Sequence, residues 1–379
     1  MRILHLFSNW KWTGPAEPAL NLAAELKKRG HEVYFASGHN KDGRSIIAER
    51  AGERDVPLIG GLRLSKHRGL LANPRDVKIL AEHLRKNPVD VVHTHMDNDH
   101  AIAVRAMRKA KSAALLVRSL YAGGVDSIAR RTAAVIRDRC DVLLALSTAV
   151  TEAAPETFGL PPERVRHTEG AIDTGRFSPR ERKAETMREL GLDEDDFVVG
   201  IVARMQRHRR FEVFFRAVRD AASALPNLKA LVIGRGTHAR EVGHEEVERL
   251  DITRHVIFAG YHAEDYVDVA NCMDVKVFLV PGSDGSCRAV RECMALGKPV
   301  IAAKRGMLPE IVDGGVTGIV LDDTVENLAD AMVRLGKDKA KREEMGRAAA
   351  EKAKARFSLS GQAKAVEDAY KSVNKNTES

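Results

Sequence analysis

The stretch Val275-Lys-Val-Phe-Leu-Val280, followed by Pro281-Gly-Ser-Asp-Gly-Ser-Cys-Arg-Ala-Val-Arg-Glu-Cys-Met-Ala-Leu-Gly-Lys-Pro-Val-Ile-Ala302, decides the fold. Residues 275–280 are apolar and rich in Val, which predicts a strand, and 281–286 are small and polar, which predicts a loop. From about Arg288 to Gly297 the pattern is helical, and 299–303 return to a strand pattern. Strand, helix and strand in so short a span form a βαβ unit, whose strands must pair in parallel because the helix carries the chain back along the sheet. In a parallel sheet every strand ends on the same edge, and ligands bind there.

The alternation extends in both directions. Beyond the charged, turn-forming residues 176–196, strands are predicted at 197–203, 228–234, 256–261 and 318–321 in addition to the two above. Before them, strands are predicted at 3–7, 33–37, 90–95, 114–120 and 142–147. A helix is expected over 19–28, and another, opened by Asn73 and Pro74, buries Val77, Leu80, Ala81 and Leu84. Apolar strands alternating with helices imply two doubly wound, Rossmann-like α/β domains, 1–175 and 176–358. Residues 338–356 read as a solvated helix. A C-terminal segment, 359–379, holds a helix over 360–373 that is expected to cross back to the N-terminal domain, then a disordered tail from 374. Two such domains in tandem are expected to face each other across a ligand-binding cleft.

The chain has 379 residues, 44% hydrophobic and 30% charged, enough material for two cores. No apolar run approaches the roughly 20 residues of a membrane span, and residues 2–7 lack the h-region of a signal peptide, so a cytoplasmic location is expected. Cys140, Cys272, Cys287 and Cys293 form no Cys-x-x-Cys pair and have no His at metal-ligand spacing, which argues against a disulfide framework and a zinc site. The net charge is +8, unevenly spread: residues 1–180 hold 29 Lys+Arg against 20 Asp+Glu (net +9), and 181–379 hold 32 against 33 (net −1). Excess of this kind suits a phosphate-bearing partner or an anionic membrane surface, with Arg130, Arg131, Arg137 and Arg139 as candidates. Nucleic acid is not indicated: aromatics are only 5% and do not interleave with the arginines.

The chemistry converges on the loop and helix quoted first. The amides of Ser286, Cys287 and Arg288 would form a helix N-terminus, where orphan N–H groups and the helix dipole hold a phosphate. Glu292 stands one turn inside, and because helical side chains lean toward the N-terminus its carboxylate would reach ribose hydroxyls. Asp284 lies eight residues earlier, in the loop.

An acid, seven residues, a Glu and then Ala-x-Gly-Lys-Pro-Val resembles the Glu-x7-Glu motif of family 4 retaining glycosyltransferases, which have the GT-B fold. Thr13-Gly-Pro-Ala-Glu17 is similar to that family's Gly-Gly-x-Glu loop, and Gly170-Ala-Ile-Asp-Thr-Gly-Arg-Phe-Ser-Pro179 to its interdomain signature. Gly200-Ile-Val-Ala-Arg204, Leu231-Val-Ile-Gly-Arg-Gly236 and Leu308-Pro-Glu-Ile-Val312 resemble three further family motifs, in family order. The resemblance implies transfer from a UDP-, GDP- or ADP-linked sugar to a glycan, lipid-linked or small acceptor in cell-envelope glycan synthesis. Fixed cations and amides rather than a metal would stabilise the departing diphosphate, and no cofactor is implied. It assigns Asp284, Arg204 and Arg209 to catalysis, and Gly14, Arg204, Arg209, Gly234, Ser286, Cys287, Arg288 and Glu292 to the donor. His95 and Tyr121 fall on the acceptor side. The sequence departs from the family in three places: Asp284 replaces a Glu, Arg210 stands where a Gly is usual, and Tyr121 where a His is usual.

A nucleotide-sugar epimerase, a phosphorylase and a non-catalytic nucleotide-sugar-binding protein share this fold class and are the alternatives. A phosphorylase needs a lysine-bound pyridoxal site, which nothing in the sequence singles out. Asp193-Glu-Asp-Asp196 reads as a solvated turn, and Gly234-Arg-Gly236 lacks the third glycine of a dinucleotide fingerprint.

Overall fold

The computed structural model describes residues 1–67, 69–125, 128–281 and 287–374, so the tail from 375 onward lies outside it. The chain forms two compact units. Among the described residues, one is built from 1–171 and 359–374, the other from 172–281 and 287–358.

The first unit runs β1 (Arg2–Phe7), α1 (Ala16–Lys28), β2 (Glu32–Ser37), α2 (Ile46–Gly52), α3 (Ala72–Lys86), β3 (Val91–Thr94), α4 (Asp97–Ala110), β4 (Leu115–Leu120), α5 (Arg130–Asp138), β5 (Val142–Ala145), α6 (Thr148–Phe158) and β6 (Val165–His167). Its six strands are all parallel, in the order β2-β1-β3-β4-β5-β6. The direction of winding reverses between β1 and β3, which makes the C-terminal ends of these two strands the expected ligand position. Strand alternation sorts the core: Ile3 and Phe7 face the layer containing Leu20, Leu22 and Leu26 of α1, while Leu4 and Leu6 face Leu80 and Leu84 of α3 and Ile102 of α4. The sequence pattern missed β6, whose three residues, Val-Arg-His, offer one apolar side chain and no period.

The second unit runs α7 (Ala184–Glu189), β7 (Phe197–Val202), α8 (Phe211–Ala222), β8 (Leu228–Ile233), α9 (Glu245–Arg249), β9 (Val256–Gly260), α10 (Tyr266–Asn271), β10 (Val275–Phe278), α11 (Arg288–Ala295), β11 (Val300–Ala303), α12 (Leu308–Ile311), β12 (Gly318–Leu321), α13 (Val325–Lys337) and α14 (Lys339–Arg356). Its sheet is again parallel, in the order β12-β11-β10-β7-β8-β9, with the reversal between β7 and β10. The core on one face packs Val199 and Ile201 of β7 and Val275 and Val277 of β10 against Phe211, Phe214 and Phe215 of α8 and Leu328 and Met332 of α13. The expectation that α14 is merely solvated is corrected. It buries Met345, Gly346, Ala349 and Ala353, and Gly346 passes the backbone after α11 so closely that a Cβ there would stand 2.3 Å from the Gly297 oxygen.

The last helix, α15 (Leu359–Asn374), belongs to the first unit. Ala363, Val366, Ala369 and Tyr370 join the core that contains α1, and Glu367 takes a two-pronged ion pair from Arg29, at 2.8 Å to Nε and 2.6 Å to Nη2. Among the described residues, no helix is long and apolar enough to cross a membrane.

Tyr370 is fully buried, and its hydroxyl lies 2.6 Å from Nδ1 of His93 on β3. Tyr370→Ala should therefore lower the unfolding free energy by about 3–5 kcal/mol, the range for deleting a buried aromatic ring. Tyr370→Phe, which only orphans the His93 nitrogen, should lower it by about 1–3 kcal/mol. Urea unfolding measures both; equal midpoints for wild type and Tyr370→Ala would show that α15 does not contribute to the core.

Candidate functional site

Two constellations stand at the C-terminal edges of the two sheets. In the second unit the chain leaves β7 into a loop carrying Arg204, Arg207, Arg209 and Arg210. Neighbouring backbone holds this loop down: a Cβ at Gly234 would lie 2.1 Å from the Ala203 oxygen, and one at Gly236 would lie 2.0 Å from the Met205 oxygen. Gly234 also has φ +144°, a conformation closed to other residues at little cost, so both glycines of Gly234-Arg-Gly236 are there for close approach. Gly234 thus serves the site by shaping the β7 loop.

The four arginines divide by what they touch. Arg207 is exposed and forms two 2.8 Å bonds to Glu241, so it is occupied. Arg210 adopts left-handed backbone (φ +59°), which explains why glycine is usual at this position in the family, and its guanidinium binds Asp323 at 2.7 Å. Arg209 is half-buried, donates from Nη1 to the Val280 oxygen at 2.8 Å, and leaves its Nε without a partner. Burial lowers its pKa below the usual arginine value, and its other electrostatic neighbours are Cys287 and Arg204, which places it at the mouth of α11. Arg204 is exposed and, among the described residues, makes no hydrogen bond or ion pair. Arg204 and Arg209 are therefore the two cations of this loop with donors to spare.

Cys287 caps α11 in left-handed backbone (φ +49°), and Arg288 opens the helix. Asp284 and Ser286 lie outside the described residues. Glu292 is 7% exposed, one turn in; Tyr266 donates its hydroxyl to Oε2 at 3.1 Å, and Arg288 Nε stands 3.3 Å from Oε1. Burial, then the Glu292 charge, raises the Tyr266 hydroxyl well above the usual tyrosine range, which keeps it a donor. Beneath lies Lys276 of β10, fully buried with no hydrogen bond at Nζ; burial lowers its pKa to about 8, against the attraction of Cys293 and Glu292. Sequence reading missed Tyr266 and Lys276. The signal for Lys276 was available: a lone lysine inside an apolar strand.

In the first unit Gly14 lies half-buried in the loop between β1 and α1, and His95 and Tyr121 follow the ends of β3 and β4. The loops are tied together by Asp99, whose carboxylate accepts from the amides of Ser8 at 2.7 Å, His95 at 3.2 Å and Met96 at 3.0 Å. Burial pushes this carboxyl up to about 7, opposed by Arg118 and the amides.

The expectation that His95 meets a ligand is corrected: it is 1% exposed, with Nδ1 2.8 Å from the Tyr121 hydroxyl and Nε2 3.0 Å from His5 Nδ1. Tyr121, half-buried, stands in front of it. His5, His93 and His95 form a stacked cluster, with ring centroids 4.5–5.3 Å apart, made possible by the β1–β3 register that sets His5 opposite His93. Their ligand atoms lie within 4.8 Å of one another, yet His93 spends both nitrogens on Tyr370 and Ser119, and near-parallel rings do not aim lone pairs at one point. Burial lowers all three pKa values, that of His5 to about 3, so the cluster is neutral at pH 7. It acts as a buried polar brace.

Of the four arginines of the expected basic patch, Arg131 lies 3.8 Å from Asp97, Arg137 donates to the Thr157 oxygen at 2.6 Å, and Arg139 donates to the Ala114 oxygen and Asp141, while Arg130, Arg131 and Arg137 stay exposed.

Both parallel sheets, with a cationic loop and a helix N-terminus at the edge of the second, define the GT-B class, and comparison bears this out. The structure is similar to that of HepE from Anabaena in complex with UDP, with a TM-score of 0.81 and 19% identity over 98% of this chain and 100% of that one. Residues 182–352 match the profile of glycosyl transferases group 1, and 13–176 that of glycosyltransferase family 4. The chain belongs to this family of glycosyltransferases. A D-inositol 3-phosphate glycosyltransferase of Corynebacterium jeikeium is 30% identical over 249 residues, 63% of this chain and 59% of the relative's own length. A GDP-mannose-dependent monoacylated alpha-(1-6)-phosphatidylinositol monomannoside mannosyltransferase of Corynebacterium glutamicum is 24% identical over 83% of each chain.

Removing Arg204 should weaken a nucleoside diphosphate more than the free nucleoside, since a charge-assisted contact contributes about 1.5–3 kcal/mol. Calorimetry of Arg204→Ala, with Arg207→Ala as a control expected to change little, measures this. Equal losses for both ligands would refute the assignment.

Proposed function

We propose that the chain is a retaining, metal-independent glycosyltransferase that moves a sugar from a UDP-, GDP- or ADP-linked donor to a hydroxyl of a phosphate-bearing polyol, glycan or lipid-linked acceptor. The observation that carries this reading is the pair Arg204 and Arg209 beside the start of α11. As the bond from the anomeric carbon to the diphosphate breaks, negative charge grows on the leaving oxygens, and fixed cations and amides aimed there stabilise the transition state more than the ground state. Glu292, steadied by Tyr266 and Arg288, is suited to ribose hydroxyls. Asp284 is assigned to the donor sugar.

Support for the ligand classes comes from the relatives: HepE was crystallised with UDP, and the two corynebacterial enzymes are named for an inositol phosphate and a phosphatidylinositol mannoside. Both of those names contain a phosphorylated polyol, which suits the basic first half of this chain. The acceptor is assigned to the edge of the first sheet, where half-buried Tyr121 ends a braced hydrogen-bond chain.

Transfer should persist in EDTA; loss of activity with rescue by one divalent ion would overturn metal independence. The two acids of the motif should fail differently. Glu292→Gln should weaken bare nucleoside diphosphate by about 1.5–3 kcal/mol, while Asp284→Asn should spare it and lower kcat. If Asp284→Asn loses bare nucleotide as severely as Glu292→Gln does, Asp284 belongs to the nucleotide and the division of roles is wrong.

A further inference from the structure

Residues 56–81 of the first unit differ from the rest of the surface. Among the described residues, large hydrophobic side chains are exposed at only five positions, and three of them, Leu58 (44%), Leu70 (95%) and Leu71 (88%), fall in this stretch. The same stretch exposes Arg63, Lys66, His67, Arg75 and Lys78, and among the described residues none of these five is in an ion pair. Its one acid, Asp76, is 1% exposed and accepts from the amides of Arg63 at 2.8 Å and Leu64 at 2.9 Å, so it presents no negative charge to solvent.

The loop that carries Leu70 and Leu71 is also built. Buried Asn73 accepts from the Gly69 amide at 3.0 Å and bonds to Asn98 at 2.6 Å, and Asn98 in turn donates to the Ser65 oxygen at 2.8 Å. Leu62 and Leu64 anchor the loop in the core. Two adjacent leucines are thus held out in water by a buried polar frame, immediately before the first turn of α3, where the helix dipole also favours anions.

We propose that this surface docks the first unit on an anionic lipid bilayer, with Leu70 and Leu71 entering the boundary between headgroups and acyl chains and the surrounding cations facing the headgroups. Charge selects this occupant. A second copy of the chain would set like charges face to face, and two leucines are too small an apolar core for a stable protein interface, which buries about 800 Å² per partner. A bilayer supplies negative surface potential and an apolar layer a few ångströms below it, the combination that a short hydrophobic wedge ringed by cations fits. The surface goes beyond the transfer reading, because docking requires no activity, and it would bring the first unit to a lipid-borne acceptor.

The test is co-sedimentation of the full chain with vesicles of equimolar phosphatidylcholine and phosphatidylglycerol, and of phosphatidylcholine alone. Binding is expected to the anionic vesicles only, weakening as salt rises. Leu70→Ser with Leu71→Ser should lower the partition coefficient about tenfold or more, and Lys66→Gln, Arg75→Gln and Lys78→Gln together should do likewise. Because these side chains are exposed, thermal stabilisation by nucleoside diphosphate should be unchanged in both variants, which separates this outcome from failure of the transferase reading. Absence of binding to anionic vesicles overturns the proposal. So does a double-leucine variant that binds like wild type, which would reveal plain electrostatic adsorption. Self-association that the leucine changes abolish, without vesicle binding, would assign the patch to a second copy and would equally overturn it.

Discussion

A parallel sheet delivers every strand to one edge, and each following helix begins there with unpaired N–H groups. All that concerns ligands in this protein depends on that constraint. In the second unit the reversal of strand order between β7 and β10 opens a gap in which the loop after β7 and the start of α11 meet. Arg209 crosses it to the Val280 carbonyl. Glycines at 234 and 236 let the β7 and β8 loops touch backbone to backbone, so the cations are carried on a surface with little room to shift. The first unit repeats the topology with a different filling: histidines and a buried aspartate in place of arginines.

Buried polar groups are concentrated behind these edges. Asp99 gathers the amides of two loops, His95 and His5 stand in line behind Tyr121, and Tyr370 holds His93 from 277 residues away in sequence. Behind Glu292 stand Tyr266 and the buried Lys276. Each such group loses hydration on folding and is tolerated where it fixes the orientation of a neighbour. The arrangement costs stability at the positions where a transferase needs rigid geometry.

Much of the architecture was legible because strand and helix periods are local properties: eleven of the twelve described strands lie almost wholly within the predicted runs, and α15 begins one residue before its predicted start. β10 and β12 are predicted from the same local pattern, whereas β6 is not, being too short to show a period. Site residues were legible in proportion to how local their reasons are. The left-handed backbone that favours glycine at position 210 is a property of one residue, and the sequence flagged that position even though Arg210 fills it. The burial of His95 was not readable, since it depends on β1 lying beside β3 in one register. The contacts of Arg131 and Arg137 likewise depend on partners from other elements, which a count of charges along the chain does not reveal.

The central claim is that a nucleoside diphosphate binds at the C-terminal edge of the second sheet. A crystal structure of the chain with UDP, or with whichever nucleoside diphosphate gives the largest thermal shift, tests it most directly. The account predicts the diphosphate against Arg204, Arg209 and the first amides of α11, with the ribose hydroxyls on Glu292. A nucleotide bound anywhere that leaves Arg204 and Glu292 untouched would contradict it.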